Sequence, residues 1–177
     1  MATGYTQAEL DALLLIMEDT VPRIPSKRDK KDAAHVTGMR LSGTDKGVLA
    51  NFQTGNGRQD IYWLNVWVAK EVAASVSVAS NAYGWPKHGL APDDNKRIRQ
   101  PKPVHLATAI GVNSLSTSAE PTGVLIRFAV EHRIRSVTLF LPASKALEAM
   151  LGIVQAGQTA EWWGEDFEPI PSRQSQN

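Results

Sequence analysis

The run GVLANF at 47–52 returns as GVLIRF at 123–128, 76 positions later, with the opening glycine and the closing phenylalanine kept. A strand-like run that recurs within one chain constrains the fold strongly, because the residues after each copy should then form related structure. GVLANF is followed by TGNGRQ, DIYWLN and VWVAKEVAASVSVASNA; GVLIRF is followed by AVEHRIR, SVTLFL and PASKALEAMLGIVQAG. Both series read as strand, turn, strand, helix. With one residue inserted after the third strand, Leu64 meets Leu141, Ala69 meets Ala146 and Glu71 meets Glu148. Upstream, HVTGMRLSG (35–43) and HLATAIGVN (105–113) each begin on histidine and read as extended, which makes His35 and His105 equivalent. The expected fold is α+β: two tandem β-β-β-α repeats, over 35–83 and 105–158, forming one compact unit. An amphipathic helix over 1–22, a basic loop over 23–34, a linker over 84–104 and a tail over 159–177 complete the chain.

Alternation supports the strands. Val48, Ala50 and Phe52 share one side of the second strand, as do Val124, Ile126, Phe128 and Val130 of its counterpart. In the third strands Ile61 and Trp63 are matched with Val137 and Leu139 against the helix, leaving Tyr62, Thr138 and Phe140 on an open face. Asn56-Gly57 predicts a two-residue type I′ hairpin; the second turn falls around His132–Ile134. Residues 66–78 alternate in a way that also suits a strand, but Ala69, Ala73 and Ala74 favour helix. Pro142 suits a first helical turn.

At the N-terminus, Thr6-x-x-Glu9 forms a capping box ahead of an apolar stripe of Leu10, Leu13, Leu14 and Met17. Glu9 and Asp11 within that stretch argue against a signal peptide, and no apolar run approaches the length of a membrane span. The expected setting is cytoplasmic or otherwise intracellular. With no cysteine, disulfides and thiolate chemistry are excluded. The apolar fraction of 42% and charged fraction of 21% are those of an ordinary globular protein.

No motif names a reaction. Gly55-Asn56-Gly57 lacks the lysine and hydroxyl of a phosphate-binding loop. His35, His88, His105 and His132 show no ligand spacing. Asp93-Asp94 and Glu165-Asp166 lie in polar segments that would not desolvate a carboxylate. Ser114, Ser116 and Ser118 read as a flexible loop without a nucleophile-elbow context. Neither catalysis nor a cofactor or metal is expected.

Charge is segregated although its sum is only +1. RIPSKRDKK (23–31) carries Arg23, Lys27, Arg28, Lys30 and Lys31 against Asp29, and the tail from Glu161 is acidic. Bases stack on aromatic rings while Arg and Lys track phosphates. On the open face, Tyr62 and Phe140 are the candidate stacking residues and Arg127 a phosphate contact. Arg58, Arg133 and Arg135 in the turns, with Lys27, Arg28, Lys30 and Lys31 in the loop, extend the candidate site. In layout, tandem sheet-plus-helix units resemble the PUR and Whirly single-stranded nucleic-acid-binding families, with three strands per unit here where those have four. The expected activity is non-catalytic binding of single-stranded DNA or RNA. The alternative is a structural protein that assembles as a homo-oligomer through sheet edges and arms. Trp162 and Trp163 are expected to cap the core of the second unit, and the residues from Glu165 onward to serve as a docking peptide or as an intramolecular lid over a basic surface.

Overall fold

The structure is a computed structural model that describes residues 20–85, 103–132, 134–160 and 162. The expected N-terminal helix, most of the linker, and Trp163 with the acidic tail lie outside these residues. Two series of elements follow one another. The first is α1 (Lys27–Asp32), β1 (Ala34–Thr44), β2 (Gly47–Thr54), β3 (Gln59–Asn65) and α2 (Val66–Tyr83). The second is α3 (Pro103–Thr108), β4 (Ile110–Glu120), β5 (Gly123–Val130), β6 (Val137–Pro142) and α4 (Ala143–Thr159). The described residues thus form a mixed α+β fold of six strands and four helices.

Strands β1–β2–β3 and β4–β5–β6 are antiparallel meanders joined into a closed barrel. The joints are parallel and short: Ala34 and His35 of β1 pair with Leu139 and Phe140 of β6, and Tyr62 and Trp63 of β3 pair with Ile110 and Gly111 of β4. Parallel neighbours need a crossover, which α2 and the chain after it supply between β3 and β4. A register shift interrupts β1 between Val36 and Gly38, opposite Thr54 and Gln53. Another interrupts β4 between Val112 and Ser114, opposite Val130 and Ala129.

Gly47 and Gly123 open β2 and β5 because the neighbouring strands pass too close for a side chain. A Cβ would collide with the carbonyl of Leu64 at Gly47, and with that of Leu141 at Gly123. The residues behind them alternate inward as expected. Val48, Ala50 and Phe52, with Val124, Ile126, Phe128 and Val130, are buried in one core shared with Val72 and Val76 of α2 and Met150 and Ile153 of α4. Helices α2 and α4 also pack on each other.

Two tryptophans lock the halves together. At the end of α2, Gly84 adopts a left-handed conformation (φ 61°), and Trp85 beyond it donates its indole N–H to the Pro121 carbonyl at 2.8 Å. Beyond α4, Trp162 donates to the Thr44 carbonyl at 2.9 Å. Trp162 therefore packs on the core, and its hydrogen bond goes to the end of β1.

Several expectations change. HLATAIGVN is not extended throughout: residues 103–108 are helical and β4 begins at Ile110. His35 lies in a parallel joint beside Phe140 while His105 lies in α3, so the two are not equivalent. The serine-rich segment is not a loop; Ser114, Ser116 and Ser118 belong to β4. The basic loop contains α1, capped by Ser26, whose hydroxyl accepts from the Asp29 amide at 3.1 Å. The first hairpin is not type I′. The Gly57 amide bonds the Thr54 carbonyl at 2.9 Å and the Thr54 amide bonds the Arg58 carbonyl at 3.0 Å, enclosing three residues of which only Gly57 has positive φ (81°). Pro142 precedes α4 as its N-cap residue. The second turn falls where expected, with His132 left-handed at φ 58°. Among the described residues no helix is long and apolar enough to cross a membrane.

Candidate functional site

Tyr62 is not on an exposed face. It is 1% exposed, lies inside the barrel, and its ring sits 5.4 Å from Phe128 and 6.1 Å from Phe52. The reason is strand parity: Tyr62 pairs across to Ala50 and Leu64 to Val48, so they share the inward side, while Ile61 and Trp63 face outward. Phe140 pairs across to Leu125 on the outer side of β6, yet it is 8% exposed because the chain ahead of β1 folds over it. Its ring lies 4.9 Å from that of His35. Neither aromatic side chain offers a free stacking platform.

The basic residues divide into three groups. Arg58 lies at the first hairpin, where it pairs with Asp60 at 3.0 Å. Arg135 is exposed before β6, and Arg133 lies outside the described residues. The remainder gather around α1 and the outer side of β4–β5–β6. Lys27 and Lys31 are exposed on α1. Arg28 pairs with Asp32 at 3.7 Å in a solvent-exposed contact, worth little on its own.

Three contacts hold residues 23–30 over the sheet. The Ala119 amide donates to the Arg23 carbonyl at 2.7 Å, Lys30 meets Glu120 at 2.8 Å, and Arg127 meets Asp29 at 3.4 Å. The first turn of α1 aims Asp29 and Lys30 at the sheet, and the serine alternation of β4 sets Ser116 and Ser118 on the same outer side as Arg127. Arg127 also donates from Nε to Ser116 at 3.3 Å. The Lys30 ammonium, donating to Glu120, holds that carboxyl below the usual range; the Thr122 hydroxyl assists and partial burial opposes.

Beneath this segment lies a cleft of about 200 Å³, walled by Arg23, Arg28, Asp29 and Arg127 together with Ser116 and Ser118. A second recess of about 130 Å³, more apolar, adjoins it across Leu125 and is lined by His35, Phe140, Ala33 and the Lys30–Glu120 pair. The larger cleft presents guanidinium and hydroxyl donors with one carboxylate among them, a donor set suited to oxyanions. Arg127 and Arg28, candidates on sequence grounds, meet here, and Lys30, another, lines the adjoining recess. Arg23, Asp29 and the serines are not candidates on those grounds. The period-2 spacing of Ser114, Ser116 and Ser118 is the signal for a strand side lined with hydroxyls. Among the described residues no group of three or more His, Asp or Glu side chains could hold a metal ion. No family model matches the chain, and neither a curated protein nor a solved structure does.

Proposed function

We propose that the protein is a non-catalytic binding protein that holds single-stranded nucleic acid by its phosphates along α1 and the outer side of β4–β5–β6. One observation carries the reading: three arginines, Arg23, Arg28 and Arg127, line one cleft together with Ser116 and Ser118. Lys27 and Lys31, exposed on α1, extend the positive surface. Because Tyr62 and Phe140 are buried, stacking on them has no part in the mechanism, and affinity rests on charge. Sequence preference is then slight and salt dependence steep.

The test is fluorescence anisotropy with a labelled single-stranded oligonucleotide from about 50 to 200 mM salt, where counterion release is large. Removing one cation that neutralises a phosphate should reduce the slope of log affinity against log salt by about 0.7 for a single strand. Arg127→Ala should flatten it by that amount, while Arg58→Ala, altering an arginine paired at the hairpin, should leave it nearly unchanged. Absence of wild-type binding at the lowest salt refutes the reading.

A second reading, assembly as a homo-oligomer, is favoured by Trp67, which is 78% exposed at the start of α2. Its route would be that side chain and not strand edges, since the six strands close on themselves. Light scattering of the wild type and Trp67→Ser separates a Trp67-mediated oligomer from a monomer.

We also read the chain as a tandem duplication, with the unit enlarged to α-β-β-β-α over 27–83 and 103–159. Support comes from matching six-residue helices, strands of 11 and 8 residues in each half, register shifts at corresponding places, and paired tryptophan contacts.

A further inference from the structure

We infer that the cleft beneath residues 23–29 takes the terminal phosphate of a nucleic-acid strand, a phosphomonoester, and not a phosphodiester within the chain. This rests on the nucleic-acid reading above and specifies which part of the strand the cleft recognises.

Among the residues lining the cleft, three arginines stand against one carboxylate, Asp29, an excess of two positive charges; Asp32, which meets the exposed Arg28 at 3.7 Å, lies outside the lining. A phosphomonoester carries a charge of about −1.5 to −2 at neutral pH, whereas each backbone diester carries a single negative charge. The monoester also offers three strong acceptor oxygens, which Ser116, Ser118 and the guanidinium groups can meet together. Arg127 also has unused donor capacity. Arg127 uses Nε toward Ser116 at 3.3 Å and one terminal nitrogen toward Asp29 at 3.4 Å. Both contacts are longer than the usual charge-assisted bond of about 2.7–2.9 Å, and a guanidinium has five N–H donors in all. A phosphate oxygen can therefore displace Asp29 from Arg127 with little loss. The chain from Arg23 to Asp29 forms one side of the cleft and is pinned to the sheet at Ala119 and Glu120. A volume of about 200 Å³ beside that segment seats a single phosphate group.

The test compares oligonucleotides of one sequence that carry a 5′-phosphate, a 3′-phosphate, hydroxyls at both ends, or a terminal methyl phosphodiester. The methyl form enlarges the phosphate by only one methyl group but loses a charge. The fluorescent label is attached within the strand. One phosphorylated end should bind about ten- to a hundredfold tighter than the hydroxyl form, as expected for added hydrogen bonds to a charged group. The methyl diester should fall back to the hydroxyl level. Arg127→Ala should remove the preference, and so should Arg28→Ala, which alters an exposed side chain and leaves the fold intact. Measurable but equal binding of all four oligonucleotides overturns the inference and leaves the nucleic-acid reading standing. Binding of none overturns that reading, and the inference with it.

Discussion

Tyr62 and Trp63 are neighbours in sequence and face opposite sides of β3, so a one-residue error in parity exchanges a core aromatic for a surface one. Alternation within DIYWLN alone is ambiguous, since either side carries an aromatic residue. Pairing to Val48 and Ala50 resolves it, and that is long-range information. Phe52 and Phe128, by contrast, are legible as core residues because the glycine and valine ahead of them fix the strand's phase. At Glu120 one side chain carries a pH dependence. Its pKa is depressed in the folded state, first by the hydrogen bond from Lys30. The stability it contributes is therefore fully present above the unfolded-state value of about 4.3. It is lost as pH falls through the lower folded-state value. Lys30 is 54% exposed, which keeps the contribution below about 1 kcal/mol. Urea unfolding of the wild type and Glu120→Gln should differ by that amount at neutral pH and converge on acidification. A difference that persists at acid pH would assign the effect of Gln to something other than lost charge.

At the level of elements, the longer strands and the two long helices can be read from period and composition, while the six-residue helices α1 and α3 cannot. A helix of six residues gives fewer than two turns, too few for an apolar stripe, and α1 buries none of its residues. Short polar stretches of this kind read as loop until tertiary contacts such as Lys30–Glu120 and Asp29–Arg127 hold them. The serine run of β4 escapes sequence reasoning for a related reason. Serine favours turns, and the inward partners of the alternation, Leu115 and Thr117, reveal themselves only against Phe128 and Ser75. The tryptophan contacts beyond α2 and α4 make a direct test of how these elements are joined. Trp85→Phe keeps most of the buried ring but removes the N–H donated to Pro121. At a site only 6% exposed it should cost about 1–3 kcal/mol by leaving that carbonyl unpaired. Trp162→Phe acts at a half-buried site and should cost about 0.5–1.5 kcal/mol. Denaturant unfolding gives both values, and equal, negligible changes would show that the indole contacts do not tie the halves.

Over the whole molecule, the order of strands and long helices is accessible from the sequence, but the closure is not. Two meanders that look like open sheets when read along the chain meet through parallel joints of two residue pairs each, and their inner sides become one core. That closure turns Tyr62 inward, and with Phe140 covered on the outer side by the chain ahead of β1, no open aromatic face is left for the expected stacking. It leaves the outer sides of the sheets as the available surface, and the clearest concentration of donors found there is the cleft that Arg127 shares with Arg23 and Arg28. The candidate site is thus half legible: the arginines are visible as charge, and their meeting place depends on a fold-over of residues 23–30 that no local pattern announces. The most direct measurement is amide chemical-shift mapping by NMR, titrating the wild-type protein with a 5′- or 3′-phosphorylated single-stranded oligonucleotide at low salt. The expected result is a contiguous set of saturable shifts over residues 23–31, 114–119 and 125–128, with little change at the Arg58 hairpin. Shifts confined to the outer side of β1–β3, or no saturable shifts at all, would contradict the account.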